Sequence, residues 1–376
     1  MRESGWIKTL TFVSASLLAA VPGAAHAQAD IPIGAVEILT GPAAAYGIAI
    51  RAGFELALDE VNKTGVLGGR HLHLTVEDSA GNKDQAINAG RLLIGRDKVV
   101  ALLGPTLSNE IFALGPVVNA RHIPEIGTST TATGVTDIGP YIFSAALREA
   151  DVIPVAIKAA AARGAKTIAI MYASDDAFSK SGFDVMKSAA GELGLTVVAT
   201  EGFSTKDTDF SAQLTKIRGL NPDAVGISAL VEPVSGVLLQ ARQLGFGPET
   251  IFIGGNGSNS PKLGEIAGKA ADGLIVATPW SAAKQDPSNQ AFMAAFRAKY
   301  NKDPDQFAAQ AYETIFLLAQ AIDHSTDATP EHIRDALTHV SHDGVLGPFT
   351  FNSDRRPAST AGVVVLVMKG GKFGVQ

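Results

Sequence analysis

The 376-residue chain contains no cysteine. That single absence removes thiolate catalysis, iron–sulfur clusters, cysteine-based zinc sites, disulfides and lipid attachment through an N-terminal cysteine. An excess of positive charge is lacking too: the formal net charge is −6 and no basic run or stripe occurs, so nucleic acid is not an expected partner. The sequence also lacks a G-x-x-x-x-G-K-[ST] phosphate loop and a G-x-S-x-G nucleophile turn. The turn Gly254-Gly255-Asn256-Gly257 carries Ser260 where the last glycine of a dinucleotide fingerprint belongs. His71 and His73 share one face of a strand-like segment, and His332, His339 and His342 sit near a helix end. Neither group has carboxylates at a ligating spacing, so surface histidine is the better reading than metal. Asp175-Asp176 reads as loop polarity rather than as an acid–base pair. The expectation is a protein that is not an enzyme and that uses neither cofactor nor metal.

Long apolar runs are scarce as well. The one near the start, from about Leu10 to Ala25, follows Arg2 and Lys8 and ends at Ala25-His26-Ala27, a small-x-small pattern. It is short of the ~20 apolar residues that span a bilayer, and it has the form of an export signal cut after Ala27. The remaining chain, from Gln28, is too long for a single core and fits two domains. A soluble periplasmic protein is expected.

What is present is an alternation of strand-length apolar runs with amphipathic segments. Ile31 to Leu39, Val99 to Leu103, Ile168 to Met171, Val225 to Ile227 and Leu274 to Ala277 read as strands, most of them buried on both faces. Between them, Ile50, Phe54, Ala57, Leu58 and Val61 follow helical spacing, and similar patterns recur at about Lys83 to Arg96, Val152 to Ala162, Phe183 to Leu193 and Val234 to Leu244. This alternation predicts parallel sheets with helices on both sides. The last third is more helical, with Tyr312, Ile315, Phe316, Ala319 and Ile322 marking one buried face, and Phe349 to Phe351 and Val363 to Met368 as late strands. No low-complexity linker separates two halves, as expected if the chain crosses between domains more than once. Two hydroxyl-rich loops follow strands, Gly104 to Asn109 and Gly127 to Thr133. Loops at the carboxyl ends of parallel strands are where open sheets present ligands, and their hydroxyls and free N–H groups can hold an anion or simply cap the next helix.

At these loops the sequence resembles the leucine/isoleucine/valine-binding proteins of ABC importers, a branch of the type I periplasmic binding proteins. Thr40-Gly41-Pro42-Ala43-Ala44-Ala45-Tyr46-Gly47 opens the resemblance. Ala52 to Ala57, Gly68-Gly69-Arg70, Asp207 to Ser211, Gln240-Ala241-Arg242, Ile266-Ala267-Gly268 and Leu346 to Phe349 continue it in order. The resemblance implies an α/β fold of two Rossmann-like lobes, each a parallel sheet flanked by helices. Three hinge crossings, near Glu149, Thr278-Pro279 and Pro357, would join residues 28–149 plus 279–356 as one lobe and 150–278 plus 357–376 as the other. It implies a small carboxylate ligand in the cleft and the membrane subunits of an ABC importer as partners; the protein itself is expected to be a monomer. Carried over by position, the ligand carboxylate would meet the hydroxyl and N–H of Ser108 and Thr131, and the carbonyl of Ser129 would accept from a ligand ammonium. Tyr46, Leu107, Phe178 and Phe307 would surround the side chain. Leu230 stands where the family has tyrosine, and Asn256 where it has the acid that faces the ammonium. An uncharged Asn256 could donate to a keto oxygen, with Trp280 as a further wall and Glu232 or Asp176 as substitute acids. The ligand expected is therefore an amino acid such as Leu, Ile or Val, or a 2-oxo or aromatic acid. A periplasmic sensor that serves a membrane receptor is the alternative.

Overall fold

Strand β1 (Ile31–Glu37) is an interior strand of the first sheet, and its residues are buried on both faces. It is connected through α1 (Ala44–Thr64) to β2 (Leu72–Asp78), and then through α2 (Lys83–Gly95) to β3 (Leu102–Leu103). Helix α3 (Ser108–Ala120), β4 (Glu125–Gly127) and β5 (Ile142–Ser144) complete a five-stranded parallel sheet of order β2-β1-β3-β4-β5. The coordinates are a computed structural model that describes Met1 and residues 30–376, so the leader and its cut after Ala27 lie outside the described residues.

The second sheet begins with α4 (Glu149–Ala162) and β6 (Thr167–Ala173). It continues through α5 (Ala177–Glu192), β7 (Thr196–Phe203), α6 (Ser211–Leu220), β8 (Ala224–Ser228), α7 (Val231–Gln243), β9 (Ile251–Gly254), α8 (Pro261–Ala267) and β10 (Ile275–Thr278). The chain then returns to the first sheet with α9 (Pro287–Tyr300), α10 (Gln306–His324), α11 (Pro330–Leu337) and the hairpin β11 (Ser341–Gly344) and β12 (Gly347–Thr350). It goes back to the second with β13 (Val364–Lys369) and β14 (Lys372–Val375), which pair antiparallel at the edge, giving the order β14-β13-β10-β9-β8-β6-β7. The fold is thus two α/β lobes of the type I periplasmic binding protein kind.

Several elements differ from the pattern in the sequence. The apolar run Val99 to Leu103 pairs only over Leu102–Leu103, and the strand at Phe349 belongs to the β11–β12 hairpin rather than to a main sheet. Strands β5, β7 and β14 had no clear signal: β5 is three residues long, and β7 and β14 are edge strands with exposed faces that dilute the apolar pattern. Helix α10 is buried on more than the one predicted face, because Ala311, Leu317, Leu318 and Ala321 are also enclosed. Trp280 does not reach the cleft; its indole N–H donates to Asn289 Oδ1 at 2.7 Å, and the ring packs edge-on against Phe292. Among the described residues no helix is long and apolar enough to cross a membrane.

Candidate ligand-binding site

The carboxyl ends of the two sheets face each other, and the loops that follow the strands line a pocket between them. Nine residues expected from the sequence line it together. Tyr46 comes from the first turn of α1, Leu107 and Ser108 from the start of α3, Ser129 and Thr131 from the loop after β4, and Phe307 from the start of α10. Across from them stand Phe178 at the start of α5, Leu230 just before α7 and Asn256 after β9. Thr106, Gly257, Gln306 and Gln310 line the cavity as well and were not anticipated. Gln306 and Gln310 flank Phe307 at the start of a helix and one turn on, which is the only sequence signal they carry.

The lobes are latched shut across this cavity. Tyr46 Oη donates to the Gly257 carbonyl at 2.7 Å and accepts from the Val231 N–H at 2.8 Å, both on the opposite lobe. Its ring meets Phe307 edge-on, with centroids 4.8 Å apart. Burial pushes the Tyr46 phenol well above its ordinary range, so it acts as a neutral hydroxyl. A second latch lies at the rim, where Asn109 Nδ2 donates to Asp176 Oδ1 at 2.7 Å and Asn109 Oδ1 accepts from the Ala177 N–H at 3.0 Å. Asp176 also caps α5 by accepting from the Ser179 N–H. Replacing Tyr46 by phenylalanine leaves one donor and one acceptor unpaired in the closed form, each costing about 1–3 kcal/mol. Tyr46→Phe should therefore favour the open form and weaken ligand binding by on the order of tenfold or more. Small-angle scattering should show a larger radius of gyration than the parent at equal ligand concentration; identical scattering and identical affinity would contradict the latch.

Hydrogen-bond accounting separates the donors from the acceptors in the cavity wall. The Ser108 hydroxyl accepts from the Ala132 N–H at 3.3 Å, which leaves its own proton to give. The Ser108 N–H stands at the first position of α3, where helix geometry offers no intrahelical acceptor and the macrodipole favours an anion. The Ser129 hydroxyl is spent on the Thr106 carbonyl at 2.7 Å, so Ser129 has its main chain to offer. The Thr131 hydroxyl donates to Glu149 Oε1 at 2.9 Å, so that proton is consumed within the protein.

Asn256 departs most from expectation. Its side-chain amide nitrogen donates to Glu149 Oε1 at 2.9 Å, and its main-chain N–H lies 3.4 Å from Glu149 Oε2. The expected donation from this amide to a keto oxygen is corrected accordingly: the donor end is already engaged. Glu149, read from sequence only as a crossing point, is the acid that reaches Asn256; Asp176 is engaged at the rim. Glu149 is fully buried, and burial raises its carboxyl to about 7 against the lowering effect of Asn256 and Thr131. Gln306 ties the lobes from the other side, with Oε1 accepting from Asn259 Nδ2 at 2.7 Å and from Thr278 Oγ1 at 2.5 Å, and Nε2 reaching the Asn256 carbonyl at 3.4 Å. Among the described residues no group of three or more His, Asp or Glu side chains is placed to hold a metal ion.

Comparison with known proteins gives one consistent result. The family model described as "Periplasmic binding protein" matches residues 30–372. The leucine-, isoleucine-, valine-, threonine- and alanine-binding protein of Pseudomonas aeruginosa is 30% identical over 303 residues, 80% of this chain and 79% of that protein. A Leu/Ile/Val-binding protein of Rhizobium johnstonii is 30% identical over 322 residues, 85% of this chain and 86% of its own. Among solved structures, the branched-chain amino acid transporter substrate binding protein of Streptococcus pneumoniae, in complex with isoleucine, superposes with a TM-score of 0.86 at 26% identity, covering 92% of this chain and 99% of that one.

Proposed function

The chain belongs to the periplasmic binding protein family, and from that premise we propose that it captures a small carboxylate between its lobes and delivers it to the membrane subunits of a branched-chain amino-acid-type ABC importer. The observation that carries this reading is the cavity itself: it is closed from both lobes, walled by Tyr46, Leu107, Phe178, Leu230 and Phe307, and provided at one end with the free proton of Ser108. Apolar walls with a few convergent polar groups suit a small ligand. Closing the lobes removes water and strengthens each hydrogen bond to the ligand. We take residues 28–149 plus 279–356 and 150–278 plus 357–376 as the two moving bodies, with the protein acting as a monomer and Ser108, the Thr131 N–H and the Ser129 carbonyl as its polar clamp.

The test starts from protein released from the periplasm, whose N-terminus should read Gln28. A thermal-shift panel of leucine, isoleucine, valine and phenylalanine, their 2-oxo acids and benzoate should reveal at least one strong stabiliser, because a ligand that binds only the folded state raises stability by RT ln(1 + [L]/Kd). Binding measured for that compound should have a 1:1 stoichiometry. A panel in which no compound stabilises the protein would overturn the reading.

A further inference from the structure

We propose that Glu149 is the charge-bearing specificity residue of the cleft: acting through Thr131 and Asn256, it turns the site toward ligands with an α-ammonium group and against their 2-oxo counterparts. The inference rests on the carboxylate-binding reading above and adds the chemical class of the ligand's second polar group.

An ionised carboxylate can only accept hydrogen bonds. With Glu149 Oε1 at 2.9 Å from both Thr131 Oγ1 and Asn256 Nδ2, the orientation of both partners is set. The Thr131 hydroxyl gives its proton to Glu149 and can offer the ligand only a lone pair. Asn256 turns its nitrogen to Glu149 and offers its carbonyl oxygen. Together with the Ser129 carbonyl, that part of the wall presents acceptors, which is what an ammonium needs and a ketone oxygen cannot use. The other end keeps the donors of Ser108. The two ends therefore match the two charges of an α-amino acid.

The charge is supplied from an unusual place. Glu149 is the first residue of α4, at the crossing between the lobes, where the helix macrodipole favours an anion. It fits because residue 255 is glycine: a Cβ there would lie 2.8 Å from Glu149 Oε2. The carboxylate thus touches the loop of one lobe through Thr131 and the turn of the other through Asn256, so this arrangement is complete only when the lobes are closed. A buried charge with neutral partners alone is costly, and an ammonium in the cleft would relieve it. Among the groups that act on Glu149, Asp151 on the same helix is the ionisable one; Thr131, Asn256 and the neighbouring Phe178 are neutral.

The sign of the pH effect follows. In the empty site the Glu149 carboxyl is raised to about 7. An ammonium favours the ionised form, so binding an amino acid near pH 7 releases protons, and affinity falls as pH drops from 8 to 6. A 2-oxo acid, which brings only a carboxylate, gains nothing from ionised Glu149 and shows the opposite trend or none.

The experiment measures Kd by calorimetry for leucine, isoleucine, valine and phenylalanine and for their 2-oxo acids, with the parent protein and Glu149→Gln, at pH 6 and pH 8. In the parent, amino acids should bind at least tenfold more tightly than their oxo acids at pH 8, with proton release seen as a dependence of the heat on buffer ionisation. In Glu149→Gln that preference should shrink at least tenfold and the pH dependence should vanish. Oxo-acid binding should persist, which shows that the variant is folded. If Glu149→Gln does not fold, the proton release of the parent protein decides alone. Oxo acids binding as tightly as the amino acids, an unchanged preference in the variant, or no proton release would each overturn the inference while leaving the carboxylate reading intact. No binding by any compound would overturn both.

Discussion

Ser108→Ala should weaken binding of the stabilising acid by on the order of tenfold to a hundredfold, with a smaller loss of stability from the Ala132 N–H, whose long 3.3 Å bond to Ser108 Oγ is removed. The Ser108 side chain is buried at the cavity wall and is the hydroxyl there whose proton is not consumed within the described protein: the Ser129 hydroxyl gives to Thr106, and the Thr131 hydroxyl gives to Glu149. A hydrogen bond to a charged acceptor contributes roughly 1.5–3 kcal/mol, and in a closed cleft no water replaces it. Ser129→Ala is the matched comparison, because it keeps the carbonyl and loses only the bond to the Thr106 main chain. It should change affinity far less than Ser108→Ala. The measurement is calorimetric titration of both variants with the acid that stabilises the parent protein. Equal effects of the two substitutions, or none from Ser108→Ala, would move the carboxylate away from α3.

Much of this cleft was legible before any coordinates. Tyr46, Ser108, Ser129 and Thr131 lie in loops or first helical turns that follow apolar strands, and the T-G-P-x-x-x-Y-G and Ser/Thr-rich stretches mark them. Phe178, Leu230, Asn256 and Phe307 are placed by the family resemblance and not by local pattern; Phe307 does not even follow a strand, since α10 comes directly after α9. Glu149 was not legible as a site residue. In the sequence it is an acid before an amphipathic run, indistinguishable from any helix-starting carboxylate. Its burial depends on Gly255 and Asn256 arriving from more than a hundred residues away, and only the closed arrangement of two lobes brings them there. The roles of Thr131 and Asn256 followed the same pattern. Their positions come from the family resemblance, but which of their atoms is engaged within the protein depends on a partner, Glu149, that the resemblance does not reveal. The fold behaved likewise: the strands buried on both faces were plain, and the short or edge strands β5, β7 and β14 were not.

The second large effect is expected far from any ligand atom, at Gly53. Helix α1 packs along α10, and a Cβ built on Gly53 would lie 2.2 Å from the Ala308 carbonyl oxygen and 2.9 Å from the Ala311 side chain. Close C–H···O contacts ordinarily sit at about 3.3–3.6 Å. The obstacle is main chain, so no rotamer change relieves it, and the helices must separate. Overpacking of this kind costs about 1–3 kcal/mol and occasionally more. Alanine regains up to about 1 kcal/mol over glycine as a helix residue, so Gly53→Ala should still be destabilising and Gly53→Val more so. Gly191, exposed in α5 with nothing near its missing Cβ, gives the opposite sign: Gly191→Ala should raise stability by about 0.5–1 kcal/mol. The consequence reaches the cleft because the residues involved are neighbours. Ala308 follows Phe307, and Gly53 lies two turns from Tyr46 on α1, so the helix spacing sets the 4.8 Å contact between those two rings. Forcing α1 and α10 apart therefore loosens the pocket wall and draws the Tyr46 hydroxyl from Gly257 and Val231. Gly53→Ala should lower both the unfolding midpoint in denaturant and the affinity for the ligand, whereas Ser108→Ala acts mainly on affinity. Parent-like stability in Gly53→Ala would contradict main-chain contact between α1 and α10 at this position.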